Sequence, residues 1–157
     1  MSGGRAKARA AARLAAVQAT YQREMEATPI AALLTEFHHH RLGATIEDAE
    51  YNEAEVSFFD DLVKGAEARA VEIDRLIAER LASGWTLARL DRPMRSLLRV
   101  AVYELLARPD VPTKTVISEY LDVAAAFYDK RERGFVNGLL DAIAKDVRPR
   151  TTPLPAS

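Results

Sequence analysis

The sequence contains no cysteine, which excludes disulfide bonds, thiol catalysis and zinc sites built on cysteine. Glycine and proline number only seven each in 157 residues, too few for a collagen-like or low-complexity chain. No apolar run approaches the roughly 18 residues of a membrane-spanning helix, and the first residues lack the apolar stretch of a secretory signal. These absences favour a cytoplasmic protein without a membrane segment.

The common catalytic motifs are missing as well. There is no Gly-rich phosphate loop, no G-x-S-x-G and no H-E-x-x-H. His38, His39 and His40 are consecutive, and neighbouring side chains on a helix point about 100° apart, so they cannot converge on one metal ion. The sequence therefore implies no cofactor and no metal, and we do not expect an enzyme.

What the sequence does have is a composition typical of helices, with 48% hydrophobic and 29% charged residues. It predicts an all-α fold of about seven helices, in one domain over residues 1–147. The proline-containing segment 148–157 is predicted to be a disordered tail. Expected helices cover residues 5–27, 29–41, 52–82, 92–108, 114–129 and 134–147, with Thr28 and Thr113 as the caps of the second and fifth.

The stretch from Met94 to Leu106 is apolar on most sides, so we expect a central helix surrounded by other helices. A narrow strip of Arg95, Arg99 and Tyr103 is left to meet water or a partner. Gly65 is expected to bend the long helix over 52–82 or to allow close packing. Large apolar side chains are assigned to helix contacts: Trp85 in a seam, and Phe127 and Phe135 on inward faces.

Charge is segregated although the net charge is only −1. Arg5, Arg9 and Arg13 form a stripe beside the apolar face of the first helix. A charged turn, Lys130-Arg131-Glu132-Arg133, precedes Phe135. Guanidinium groups bind phosphate with two parallel hydrogen bonds, and single-stranded RNA is commonly held by cations and a stacking aromatic ring.

Other interpretations of these patterns remain open. The arginine stripe is equally typical of a solvated helix face, and periodicity favours core packing for Phe135. The turn Ser83-Gly84-Trp85 before an arginine-bearing helix resembles a DNA-binding helix-turn-helix, but the helix that follows is too apolar to lie in a groove.

Four segments together resemble the NusB family of transcription antitermination factors, in the family's order and over nearly the whole chain. They are ARLAAVQATYQ (12–22), FFDDLVKGA (58–66), LDRPMRSLLRVAVYELLARPDVPTKTVISEYLDVAAAF (90–127) and GFVNGLLDAIA (134–144). The resemblance implies two three-helix bundles that share a long helix. It also implies binding of single-stranded boxA RNA from ribosomal RNA operons, together with the ribosomal protein NusE, in an antitermination complex on RNA polymerase.

The resemblance places RNA contacts on the arginine stripe and on the segment from Lys130, Arg131 and Arg133 to Phe135. It places the partner surface at Tyr21, Arg92 and Arg95. Ala10 to Ala12 interrupt the denser arginine run of the family, so fewer phosphates would be neutralised. The alternative is a protein-protein interaction module without intrinsic RNA binding, and a homodimer stays open.

Overall fold

The computed structural model describes residues 2–38 and 53–148, and every α or β element within these ranges is an α-helix. A short 3₁₀ turn, Leu87–Arg89, is the other regular element there. This confirms the predicted all-α class with seven helices. The helices are α1 (Ser2–Glu26), α2 (Ile30–Phe37), α3 (Glu53–Ala68), α4 (Ala70–Arg80), α5 (Arg92–Ala107), α6 (Thr113–Ala125) and α7 (Lys130–Val147). In these ranges no helix is long and apolar enough to cross a bilayer.

The fifth helix is the centre of the structure, as its apolar pattern predicts. It packs against α1 and α3 on one side and against α4, α6 and α7 on the other. α1 also contacts α2 and α3, and α7 contacts α4 and α6. Two groups of helices therefore share α5. Its buried positions run almost without interruption from Met94 to Leu105.

The polar strip on α5 is less open than expected: Arg95 and Arg99 keep only 15% and 23% of their side chains exposed, and carboxylates on neighbouring helices bind them. Arg99 donates two hydrogen bonds to Asp74 on α4, at 2.8 and 2.9 Å. The Tyr103 hydroxyl donates to Asp61 on α3 at 2.6 Å, and its side chain is buried. Because carboxylates from neighbouring helices cover the strip, it is an internal seam of ion pairs and hydrogen bonds.

The helix predicted over 52–82 is divided at Arg69, whose backbone departs from helical angles at φ −106° and ψ 19°. The hydrogen bonds from the Arg69 amide to the Gly65 carbonyl and from Ile73 to Arg69 persist at 2.9 Å, so the chain bends without unwinding. Gly65 gives α3 room to approach α5 closely. A Cβ at this position would lie 1.9 Å from Cζ of Tyr103, which confirms the expected close packing.

The carboxyl end of α5 is held by an arginine from the end of α7. The Arg148 guanidinium donates to the carbonyls of Leu105, Arg108 and Val111, at 2.9, 2.7 and 2.6 Å. These carbonyls belong to the last turn of α5 and the loop after it, where helical partners are lacking. The ordered part of the chain therefore includes Arg148, which the sequence assigned to the tail; residues 149–157 lie outside the described ranges.

Candidate nucleic-acid interface

Arg13, in the middle of α1, faces inward. Its side chain is 2% exposed and donates to both Glu104 carboxylate oxygens, at 2.9 and 2.8 Å. The Tyr120 hydroxyl donates to the same carboxylate at 2.8 Å. Burial opposes the charge on Arg13, yet the hydrogen bonds and charge of Glu104 raise its pKa. In this conformation Arg13 fixes α1 to α5, and its guanidinium is not presented to a ligand.

Arg9, one turn earlier, is partly exposed, with 22% of its side chain in contact with solvent. Its guanidinium carbon is 4.5 Å from the centre of the buried Phe58 ring, and its Nε is 3.9 Å from Glu55. Arg108, after the end of α5, lies 5.1 Å from the same ring and is also partly exposed. With the buried Arg13, also 5.1 Å from this ring, three guanidinium groups thus surround Phe58, and Arg9 and Arg108 are the two that are partly exposed. The side chain of Arg5 lies outside the described part of the chain.

Arg108 is a candidate phosphate ligand that the sequence did not reveal. Its guanidinium is 3.5 Å from Asp61 and Asp110, longer than a charge-assisted hydrogen bond, so neither carboxylate holds it tightly. In the sequence, Arg108 directly precedes Pro109, a pattern that indicates the end of a helix but gives no sign of ligand binding. Its proximity to Arg9 depends on the antiparallel packing of α1 on α5, which sequence periodicity does not report.

The second basic segment is the first turn of α7, and the predicted charged turn before residue 134 is wrong. The Asp129 side chain caps this helix by accepting from the amides of Arg131 and Glu132, at 3.0 and 3.4 Å. The sequence carried a usable signal, because Asp129 followed by Glu132 has the spacing of a capping box. Lys130 and Arg131 are exposed, and Arg133 is partly exposed.

Three large apolar side chains expected in helix contacts are exposed instead. Phe135 is 39% exposed, Trp85 54% and Phe127 49%. Phe135 and Trp85 line a groove of about 600 Å³ between the α4–α5 connector and the start of α7. The Arg89 guanidinium lies over the Trp85 ring, 5.4 Å from its centre. Core packing of Phe135, which periodicity favours, is therefore wrong.

The two basic regions lie towards opposite ends of α5. The first is fixed near Glu104 through Arg13, and the second near Asp91, to which the Tyr128 hydroxyl donates at 2.8 Å. Positions 91 and 104 differ by 13 residues, so the two regions are roughly 20 Å apart along the helix axis. A ligand that contacts both must extend along the protein.

The predicted partner residues Tyr21 and Arg92 meet at a different groove, of about 560 Å³. Tyr21, Met25, Pro93 and the exposed Phe127 line it, and Arg92 contacts the sulfur of Met25. Arg95 is less accessible than the sequence suggested, because it donates to Glu24 at 2.5 Å. The groove therefore combines apolar side chains with polar ones, Glu26 among them, and Arg92 lies at its edge.

The described residues contain no group of three or more histidine, aspartate or glutamate side chains that could hold a metal ion. His38 instead approaches Asp60, with 2.6 Å between Nε2 and Oδ1. His39 and His40 lie outside the described ranges.

Proteins of known family are similar to this chain over nearly its whole length. The chain is 67% identical over 146 residues to the transcription antitermination protein NusB of Sphingopyxis alaskensis, covering 93% of this chain and 98% of that protein. Its identity to the NusB protein of Caulobacter vibrioides is 46% over 148 residues, with 94% and 99% covered.

Solved structures agree. The chain superposes on T. maritima NusB with a TM-score of 0.70 and 30% identity, over 90% of this chain and 93% of that one. It also superposes on a chain from antitermination factors NusB and NusE in complex with dsRNA, with a TM-score of 0.71 and 25% identity, over 89% and 98%. The NusB family model matches residues 10–145. This protein belongs to the NusB family.

Proposed function

We propose that this chain is a transcription antitermination factor that binds boxA-type RNA and NusE within an RNA polymerase complex. It acts in the cytoplasm as a non-enzymatic adaptor. One observation supports this most directly: partly exposed guanidinium groups cluster at one end of α5, exposed cationic and aromatic side chains occur together at the other, and the Tyr21 groove has a different lining. An adaptor needs such a division, with one surface for RNA and another for protein.

The proposed RNA contacts differ from those that the sequence suggested. Arg9 and Arg108 bind phosphate at one end. Lys130, Arg131 and Arg133 bind phosphate at the other end, and Phe135 contacts a base or ribose. Arg13 positions α1 through Glu104. Arg5 remains a proposed ligand from its place on α1 alone.

The test is a titration of fluorescently labelled boxA RNA with the protein, with and without NusE, at several salt concentrations. For single-stranded RNA, affinity falls with salt by a log-log slope of about 0.7 per neutralised phosphate. We expect Arg9→Gln and Arg108→Gln each to weaken binding several-fold and to reduce this slope. Arg75→Gln, an exposed charge change on α4, is the matched control.

Two outcomes favour other functions. Binding of NusE without RNA binding, in the presence or absence of NusE, supports the interaction-module alternative. Because a similar chain was solved with dsRNA, a duplex of the same sequence is titrated in parallel. Preference for the duplex would contradict the single-stranded assignment. Equal affinity of wild type and an Arg9→Gln/Arg108→Gln double variant, with an unchanged salt slope, would reject the proposed phosphate contacts.

A further inference from the structure

The groove between the α4–α5 connector and α7 exposes more aromatic surface than a phosphate track requires. Trp85 and Phe135 both line it, and each leaves more than a third of its surface in water. Exposed large apolar side chains grouped in one concave site commonly mark a binding surface. The basic first turn of α7 forms one wall of the groove.

Contacts within the α4–α5 connector hold the Trp85 side of the groove. Gly84 adopts φ +89°, a left-handed conformation that turns the chain after α4. Its carbonyl accepts a hydrogen bond from Arg89 at 2.7 Å, and Arg89 in turn lies over the Trp85 ring. A ring held in this way binds a planar ligand with little loss of side-chain entropy.

The polar lining has the charge and the hydrogen-bonding groups that a nucleotide needs. Arg89 and Arg131 are cationic, and both are exposed. Of the two carboxylates in the lining, Asp91 accepts from the Tyr128 hydroxyl. The other, Glu132, has an oxygen (Oε2) shielded from solvent that has no hydrogen-bond donor among the described residues. An unsatisfied buried acceptor is costly, and a donor from a ligand would relieve that cost.

We propose that this groove binds one unpaired base of the RNA: the base stacks on Trp85, Arg131 contacts the adjoining phosphate, and Glu132 accepts a hydrogen bond from an amino group of the base. Adenine, guanine and cytosine carry such an amino group, whereas uracil does not. The groove is continuous with the basic residues Lys130 to Arg133, which favours a polyanionic ligand over a protein. The inference rests on the proposed RNA binding.

Trp85 is the only tryptophan in the chain, so its fluorescence reports occupancy of this groove directly. We expect single-stranded boxA RNA to quench it, with a midpoint equal to that of the anisotropy of labelled RNA. Trp85→Leu should weaken RNA binding about tenfold, within the range that base stacking on aromatic rings contributes. Val71→Ala, which shortens an exposed apolar side chain on α4 outside both grooves, should leave RNA affinity unchanged.

Base preference tests the role of Glu132. We expect oligocytidylate to bind more tightly than oligouridylate of equal length, and Glu132→Met, which removes the acceptor, to abolish that difference. Circular dichroism shows whether each variant is folded. Should the Glu132 variant fail to fold, the Trp85 quenching by the two homopolymers in the wild-type protein still decides the preference.

The outcomes separate this inference from the proposed function. If labelled RNA binds while Trp85 fluorescence is unchanged and Trp85→Leu binds equally well, the groove is not a base site and the proposed function stands. If NusE alone changes the fluorescence and RNA does not, the groove is a protein-binding site and the inference fails. If no RNA binds with or without NusE, both fail.

Discussion

Arg13 and Glu104 form an almost fully buried ion pair between α1 and the central helix α5, with two of their three guanidinium–carboxylate hydrogen bonds under 3 Å. The partners are 91 positions apart in sequence. Tyr120 on α6 donates to the same carboxylate, so one group joins three helices. The pair therefore sets the position of α1, and with it the position of Arg9.

The first prediction concerns this pair. We expect Arg13→Met to lower the free energy of unfolding by about 3 to 5 kcal/mol, because it leaves a buried carboxylate without its cation. The Arg13→Met/Glu104→Met double variant should recover much of that loss, since an apolar pair removes both charges. Urea unfolding followed by circular dichroism measures both values. Equal stability of the single variant and wild type would contradict the structural role assigned to Arg13.

A second prediction uses two glycines in helices. Gly65→Ala should destabilise the protein strongly, because the new Cβ would overlap the Tyr103 ring and force α3 away from α5. At Gly138 the added Cβ meets nothing within 4 Å, so Gly138→Ala should stabilise α7 by about 0.5 to 1 kcal/mol. Thermal unfolding of the two variants should show shifts of opposite sign. Shifts of the same sign would contradict the close approach at Gly65.

A third prediction concerns alkaline pH. Burial, with the hydrogen bond to Asp61, raises the pKa of Tyr103 from 10 to about 12. The folded chain then holds this proton more tightly than the unfolded chain does, so the stabilisation is complete below pH 10 and is lost as the pH rises from 10 to 12. At most about 2 to 3 kcal/mol is involved.

Tyr103→Phe tests this coupling. The variant should be about 1 kcal/mol less stable at pH 7, where it lacks the hydrogen bond to Asp61. It should lose less stability than wild type between pH 9 and pH 11.5, because this titration is absent. The pKa values of Tyr120 and Tyr128 are also raised by burial, and both residues remain in the variant, so the difference reports Tyr103. Parallel losses in the two proteins would refute the prediction.

A fourth prediction separates the protein partner from RNA. We expect Phe127→Glu to weaken NusE binding at least tenfold, because it places a charge in the apolar Tyr21 groove. RNA binding by the chain alone should change little. Val71→Glu, at an exposed apolar position on α4, is the control for an added surface charge. Calorimetry measures the NusE affinity of the two variants. An unchanged NusE affinity of Phe127→Glu would place the partner-binding surface elsewhere.

The sequence predicted the helices well because each carries a strong apolar period, and α5 most clearly of all. The sequence did not predict the exposure of a side chain where that exposure depends on a neighbouring helix. A helical projection shows that Arg95, Arg99 and Tyr103 share a face, but not that acids on α1, α3 and α4 cover it. For the same reason the projection placed Arg13 in the RNA stripe, although its partner Glu104 is on another helix.

The exposed aromatic residues were misassigned for local reasons. α6 ends at Ala125, so Phe127 lies beyond the helix whose face it was assigned to. Phe135 is at the edge of the apolar arc of α7, and Trp85 lies in a connector without any period. Hydrophobicity alone predicts burial at all three positions. In the structure these exposed rings instead line the two grooves proposed to bind NusE and RNA.

The Arg148 guanidinium, bound to carbonyls at the end of α5, has a consequence for synthesis on the ribosome. The bond to Leu105 spans 43 positions, so α5 emerges from the ribosome well before the arginine that closes its end. During that interval α1, α3 and the start of α5 are already available to pair. The nascent chain can therefore assemble its Arg9 surface first, while the carbonyls of the loop after α5 lack their arginine until residue 148 has been made.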